Sequence, residues 1–177
     1  MFFIPGWLLS ILTFPGVMVH EAAHRLFCDL AKVPVYEVCY FRVGNPAGYV
    51  IHGHSPTLRQ AFLISVGPLI VNTILCSLIT FAAVPQLFFL ADHSFSLPVY
   101  ALAWMGLSIG MHAFPSNTDM KNFVDQMHLA AYKGPFYYLG RLFQGLIYLA
   151  NGLRIVWFDA FYAAGVALLL PFLLTRT

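Results

Sequence analysis

The chain has 177 residues, of which 60% are hydrophobic and only 9% are charged. A soluble domain typically carries about 25% charged residues, so this composition excludes an ordinary water-soluble protein and predicts one membrane-embedded domain over residues 1–177. The formal net charge of +2 is spread along the chain and provides no basic patch for nucleic acid. The three cysteines contain no CxxC pair, and an odd number cannot complete a disulfide framework.

The first two membrane spans are predicted on either side of a β-hairpin. The first covers residues 5–31, and no basic segment or small-residue cleavage site marks it as a removable signal. Residues 33–57 combine β-branched and aromatic residues with a turn at "NPAG", which predicts the hairpin. The second span covers residues 58–84 and contains Gly67-Pro68, which a membrane helix tolerates when its neighbours satisfy the freed backbone.

The third span is predicted at residues 97–114, after a short polar connection at 85–96. The sequence "PSNTD" at 115–119 then breaks the helix, and the polar stretch "MKNFVDQMHLAAYKG" is expected to form another. Residues 135–174 hold one or two further spans, interrupted at "NGLR". The predicted fold is therefore an all-α polytopic membrane protein with four or five transmembrane helices and one small β-hairpin.

Basic residues orient the predicted spans, because cytoplasmic loops are enriched in Lys and Arg. The connection at 85–96 carries none, whereas the segment after the third span carries Lys121 and Lys133. The first loop and its flanks carry four basic residues, Arg25, Lys32, Arg42 and Arg59. These counts predict an N-terminus outside the cytoplasm and a first and a third loop inside it.

The sequence "VMVHEAAHRL" at 17–26 places two histidines and a glutamate inside an apolar span, where polar groups are costly. His20 and His24 lie one helical turn apart on the same face and can bind one zinc ion. Glu21 is rotated by about 100° and can act as the general base of an HExxH arrangement. The alternative is a polar stripe in a helix bundle, with Arg25 paired to Glu21, Asp29 paired to Arg25, and the histidines bonded across helices.

A catalytic zinc ion needs a third protein ligand and an open fourth position. No glutamate follows Glu37, which argues against zinc proteases whose third ligand is a distant helical glutamate. Asp119 lies just past the inner end of the third span, which runs in the same direction as the first. Asp125 is a fallback, whereas Asp159 is less well placed and Asp92 falls on the opposite side of the membrane.

Asp119 also fits the first turn of a helix that starts near Ser116 or Asn117, where an acidic residue is favourable. That capping role explains the aspartate but not its match in depth with the HExxH motif. His20 lies about 22 Å along the first span from Pro5, which is the inner third of a hydrocarbon core about 30 Å thick. The ligand role is therefore favoured over the cap.

Four sequence elements in this order resemble the site-2 protease family of intramembrane zinc metalloproteases. "HEAAH" lies in the first span, and "AGYV" at 47–50 is similar to the glycine-tyrosine-valine hairpin element of that family. "SVGPLIVN" at 65–72 is similar to its second-span pattern, and "PSNTD" stands where the family has Asn-Pro-Asp-Gly or a variant. The resemblance covers about residues 15–125, so residues 1–125 would form the metalloprotease core and 126–177 the C-terminal spans.

The resemblance implies that three residues bind zinc, namely His20, His24 and Asp119. It implies that Glu21 is the base and that Asn72 faces the site to contact the substrate backbone. An interhelical hydrogen bond is the equal alternative for Asn72. The sequence around the implied third ligand is Thr118-Asp119-Met120, where the family has Pro-Asp-Gly. This difference concerns Asp119 rather than the two histidines. A chain of this length would be a minimal member without a soluble substrate-sorting domain.

The expected reaction is hydrolysis of a peptide bond in or next to a transmembrane segment of a membrane protein substrate. Glu21 would take a proton from the attacking water and deliver it to the leaving amine. Asn117, expected to contact substrate, or His112 could donate to the oxyanion. The hairpin offers an edge on which an extended substrate could pair, or it is a simple re-entrant loop or lid.

Two other functions remain open for such a sequence. One is a non-catalytic zinc-binding membrane subunit that scaffolds or regulates a complex, and the other is a small transporter or channel component. The presence of Glu21 favours catalysis, because a structural zinc site needs no base and closes its fourth position. His52 and His54 are expected to contact solvent or headgroups rather than a metal, and His93 and His128 to be interfacial. The predicted partners are the membrane protein substrate and the lipid bilayer, with room for a regulatory membrane partner.

Overall fold

Helices and one two-stranded sheet make up the described part of the chain, which a computed structural model gives as residues 4–55, 57–88, 96–129 and 133–174. The helices are α1 (Gly6–Leu12), α2 (Phe14–Leu30), α3 (Leu58–Phe88), α4 (Leu97–Met111), α5 (Asn117–Leu129), α6 (Pro135–Leu153) and α7 (Phe158–Leu174). The strands are β1 (Val35–Cys39) and β2 (Tyr49–His52). The prediction of a mostly helical protein with one small hairpin is therefore confirmed. Asp92 and His93 lie outside the described residues.

The first predicted span, 5–31, is divided into two helices at Thr13. Pro15 stands in the first turn of α2, and its missing amide and fixed ring oppose a continuous helix through this point. The break is satisfied by α4, because the Ser108 hydroxyl donates to the Thr13 carbonyl at 2.9 Å and accepts from the Gly16 amide at 2.9 Å. The Ser108 side chain thus contacts polar backbone groups on both sides of Pro15.

The hairpin pairs β1 with β2 in antiparallel register, from Val35 opposite His52 to Cys39 opposite Tyr49. The hairpin predicted at 33–57 is therefore confirmed. The Tyr49 hydroxyl donates to the Glu37 carboxylate at 2.5 Å, and this hydrogen bond raises the pKa of Tyr49. The side-chain pair joins the two strands next to the turn.

Helix α3 packs against α2, α4 and α7, and small residues allow the close approach of these helices. A Cβ atom on Gly110 of α4 would lie 2.7 Å from the Cys76 Sγ of α3 and 2.9 Å from the Ala163 Cβ of α7. A Cβ atom on Gly106 would lie 2.5 Å from the Thr80 side chain. Helix α4 therefore lies very close to α3 and α7, because its glycines have no side chain to keep these helices apart.

Helix α4 ends at Met111, three residues before the predicted end of the third span. The polar segment that follows is helical as predicted and forms α5. The buried side chains of α5 include Met120, Phe123 and Met127, which share an apolar core with Ala61 of α3 and Ile147 of α6. This core fixes the start of α5 relative to α3, and the start of α5 carries Asp119.

The C-terminal helices are interrupted where the sequence predicted an interruption. Helix α6 ends in a 3₁₀ turn at Arg154–Val156, and the following Trp157 has φ 64°, in the left-handed region. The axes on either side differ in direction by 100°. Such a backbone conformation is uncommon for a residue with a side chain and persists where surrounding contacts enforce it.

Among the described residues, one stretch, Leu58–Leu87, is long and apolar enough to cross a membrane. The bent pair around Trp157 meets the same criteria only if it counts as one span, and α4 is shorter. By length and composition, the structure therefore provides one such helix, or up to two. The four or five predicted spans and their orientation stay predictions.

Gly16 provides a stability test of the contact between α2 and α4, because an added Cβ would meet the Ser108 carbonyl oxygen and lie 2.6 Å from the His112 Cδ2. We expect Gly16→Ala to separate the two helices and to destabilise the fold by about 1–3 kcal/mol. The measurement is thermal unfolding of the metal-free protein in detergent. Gly145→Ala is the matched control, because nothing lies within 4 Å of that position. Equal melting temperatures for the two variants would contradict the close packing.

Candidate metal centre

Two histidines of α2 and one aspartate of α5 converge on a single point. The His20 and His24 Nε2 atoms are 3.2 Å apart. The Asp119 carboxylate places Oδ2 at 3.6 Å from the His20 Nε2 and Oδ1 at 3.3 Å from the His24 Nε2. A tetrahedral zinc ion with bonds of about 2.1 Å separates neighbouring ligand atoms by about 3.4 Å. The two imidazole nitrogens and the Asp119 carboxylate, whose two oxygens each lie nearest a different histidine, are thus close enough together to hold one metal ion such as zinc.

Both imidazoles are oriented by backbone carbonyls. The His20 Nδ1 lies 2.6 Å from the His112 carbonyl oxygen, and the His24 Nδ1 lies 3.0 Å from the Ile64 carbonyl oxygen. A carbonyl oxygen only accepts, so each Nδ1 carries the proton and donates. The lone pair of each Nε2 is therefore left facing Asp119, which is the tautomer that a metal ligand requires.

The two accepting carbonyls are available because the backbone around them is irregular. The helical partner of the Ile64 carbonyl would be the amide of residue 68, and that residue is Pro68, which has no amide hydrogen. The His112 carbonyl lies just past the last residue of α4, where helical partners run out. The Gly-Pro pair of the second span thus leaves free the acceptor that orients His24.

Asp119 is held by a reciprocal pair of hydrogen bonds with Ser116. The Ser116 amide donates to the Asp119 Oδ2 at 2.7 Å, and the Asp119 amide donates to the Ser116 Oγ at 3.2 Å. This is the geometry of a helix capping box at the start of α5. The cap and the ligand position occur together, because a carboxylate has enough lone pairs for both.

The three residues line a cavity of about 390 Å³ that Glu21 also lines. Glu21 is buried on α2, and the turn of the hairpin lies directly over it. A Cβ atom on Gly48 would be 2.7 Å from the Glu21 Cγ and 3.1 Å from its Oε1. The glycine of the "AGYV" element is therefore the position at which the hairpin backbone contacts the expected base.

Asn72 is fully buried between helices, and it is not among the described residues that line the cavity of the metal centre. Its Nδ2 donates to the Ile109 carbonyl at 3.0 Å and to the His112 carbonyl at 3.1 Å. The interhelical hydrogen bond is thus present, while contact with a substrate stays a prediction. Asn72 shares its acceptor with His20, and it therefore helps to fix the carbonyl that orients this ligand.

Among the other sequence candidates, His52 and His112 line the same cavity as the three ligands. Asn117 is exposed, and its Oδ1 accepts from the Asn151 Nδ2 at 2.8 Å. Asp159 pairs with Arg154, with 3.0 Å between Oδ2 and Nε. Asp125 lines a smaller neighbouring cavity together with His52 and His54. Of the two ion pairs expected for Arg25 from the sequence, the structure has the one with Asp29, at 2.9 Å.

Comparison of the chain with known proteins identifies no relative. No protein-family model, no curated protein and no solved structure matches the chain. The resemblance to site-2 proteases therefore depends on the quoted sequence elements, and function is inferred from the arrangement of the site itself.

Removal of the Asp119 carboxylate tests the third ligand. We expect Asp119→Ala to lower zinc affinity by more than about tenfold, because a bonding carboxylate is lost. The measurement is zinc per chain, by elemental analysis of protein purified in detergent, followed by chelator competition. Asp125→Ala serves as the control and should retain full zinc. Full zinc in Asp119→Ala would transfer the ligand role to Asp125 or Asp159.

Proposed function

We propose that this protein is an intramembrane zinc metalloprotease, similar to site-2 proteases, that cleaves a peptide bond in or next to a transmembrane segment of a membrane protein. The observation that carries the proposal is the convergence of possible ligand atoms of His20, His24 and Asp119, all within 4.8 Å of one another, beside a cavity that Glu21 also lines. Three protein ligands facing an open cavity are typical of catalytic zinc sites, whereas structural sites have four.

The three ligands would hold the zinc ion on one side and leave its other side to the cavity. When bound there, zinc supplies Lewis acidity that polarises a peptide carbonyl and makes water easier to deprotonate. The chain contributes a preorganised surrounding, because both imidazoles and the carboxylate are already fixed by hydrogen bonds. Preorganised ligands lose little further freedom when the reaction begins.

Glu21 is placed to move protons between the attacking water and the leaving amine. It follows His20 on α2, so its carboxylate enters the cavity beside the ligand atoms rather than among them. Its potential partner Arg25 is occupied by Asp29. The Glu21 carboxylate therefore keeps its lone pairs for water, and in protonated form it can return the proton to the amine nitrogen.

The hairpin is the candidate surface for the substrate backbone. Tyr49 and Val50 at the start of β2 line the same cavity as the metal ligands. Within the described residues the sheet has two strands, so each strand there has one edge without a strand partner. An extended substrate segment that pairs with the hairpin by β-addition would pass beside the site with its carbonyls free of helical hydrogen bonds.

The distribution of side chains on α3 supports a membrane location. Its exposed face carries large apolar residues at helical spacing, including Leu63, Ile70, Ile74 and Leu78. Its buried face includes polar side chains among the apolar ones, namely Ser65, Asn72 and Thr80. Lipid would cover an apolar face of this kind, which is unfavourable in water. In this proposal α3 crosses the bilayer, its packed neighbours provide the further spans, and the basic first loop places the site toward the cytoplasm.

Glu21→Gln tests the base directly. We expect it to lower kcat by about 10²–10⁴-fold with zinc content unchanged, because the amide is similar in shape but cannot accept the proton. The measurement is cleavage of single-span membrane substrates in reconstituted vesicles, with zinc per chain determined in parallel. Asp125→Asn is the control, because it makes the same acid-to-amide change at a residue that does not line this cavity. Undiminished cleavage by Glu21→Gln would remove the base assignment, and zinc binding without any cleavage by the native protein would favour a non-catalytic zinc subunit.

Gly48→Ala tests the contact between hairpin and base. We expect the added methyl group to displace the Glu21 side chain, so that cleavage falls at least about tenfold while zinc is retained. Gly44→Ala is the control in the same turn, because the nearest atom to its added Cβ would be 3.9 Å away. Equal rates for the two variants would show that the hairpin does not constrain Glu21.

A further inference from the structure

The connection between α4 and α5, residues 112–116 and here called the ligand loop, reaches the metal ligands at both of its ends. Its first carbonyl, that of His112, accepts from His20. Its last residue, Ser116, forms the reciprocal pair with Asp119. The position of this loop therefore determines where two of the three ligands point.

The middle of the ligand loop is held by α6 and the turn that follows it. The Asn151 Nδ2 donates to the Pro115 carbonyl at 3.1 Å and to the Asn117 Oδ1 at 2.8 Å. The Arg154 Nη2 donates to the Phe114 carbonyl at 3.1 Å. These loop carbonyls have left α4 and need donors from elsewhere. Two residues, one turn apart at the C-terminal end of α6, provide the donors.

Arg154 is itself fixed by Asp159. The Asp159 Oδ2 lies 3.0 Å from the Arg154 Nε, and the Asp159 side chain is only 8% exposed. The guanidinium is planar and presents its donors in a rigid fork. Its Nε therefore lies against a buried carboxylate while its Nη2 reaches the loop. The sharp bend at Trp157 brings α7, and with it Asp159, back to Arg154.

We propose that Asn151, Arg154 and Asp159, here called the loop clamp, are positioning residues that set the zinc affinity of the site through Asp119. The inference rests on the metal site of the proposed function. It gives a role to the C-terminal part of the chain, which contributes no metal ligand among the described residues.

The test compares zinc affinity in full-length variants purified in detergent, measured by competition with a chromogenic chelator. We expect Asn151→Ala and Arg154→Gln each to weaken zinc binding by about 10–100-fold, the range for residues that orient a ligand. Arg141→Gln is the matched control, because Arg141 lies on the same helix and donates to Gln144 rather than to the loop. Arg154→Lys should be intermediate, because one ammonium group does not reproduce the fork.

A double-mutant cycle separates positioning from general stability. If the loop clamp acts through Asp119, Asn151→Ala should weaken zinc binding much less in an Asp119→Ala background than in the native protein. Equal loss in both backgrounds would overturn the proposal. Lower thermal stability of the metal-free variants without a change in zinc affinity would also overturn it, since that outcome describes a merely structural role.

The outcomes also distinguish this inference from the proposed function. A native protein that binds no zinc would refute the metal site itself, and the loop clamp would fall with it. A native protein that binds zinc with the same affinity as Asn151→Ala and Arg154→Gln would refute only the loop clamp. Cleavage assays are not needed for either conclusion.

Discussion

The two hydrogen bonds from imidazole Nδ1 atoms to backbone carbonyls are the constraint on which the candidate site depends. They select the tautomer of His20 and His24 and aim both Nε2 lone pairs at Asp119. Without them each ring could rotate about its side-chain bonds, and the 3.2–3.6 Å separations of the ligand atoms would be one arrangement among several. The acceptors come from α3 and from the end of α4, so the packing of three helices is what aligns the two rings.

Irregular backbone supplies the polar groups that an apolar interior lacks. Pro68 removes the amide that would bond the Ile64 carbonyl, and the end of α4 leaves the His112 carbonyl free. At the break near Thr13, backbone groups bond to the Ser108 hydroxyl. In the loop after α4, the Pro115 carbonyl accepts from Asn151 of α6. In a chain with only 9% charged residues, helix interruptions thus position polar atoms that side chains alone are too few to provide.

The parts of the fold that could be predicted from sequence are those that depend on patterns of neighbouring residues. The HExxH spacing placed His20 and His24 on one helical face, alternating β-branched and aromatic residues predicted the hairpin, and "NGLR" marked the end of α6. The division of the first helix was missed although Pro15 was visible, because a break there also needs Ser108 from a distant helix. The carbonyl acceptors were missed because every residue carries a carbonyl, and only the tertiary arrangement shows which ones are free. The number of membrane crossings depends on where lipid meets the helices, and local hydropathy does not determine that for a helix pair bent by 100°.

The wide separation of the contributing residues along the chain has a consequence for biosynthesis. His20 and His24 leave the ribosome early, their acceptor at His112 follows much later, and the contact of Arg154 with the ligand loop can form only after Arg154 itself has been synthesised. A nascent chain that stops short of α6 carries the histidine pair without the residues that donate to the loop preceding Asp119. The arrangement of the three candidate ligands is therefore completed late in synthesis, after residue 154 has left the ribosome.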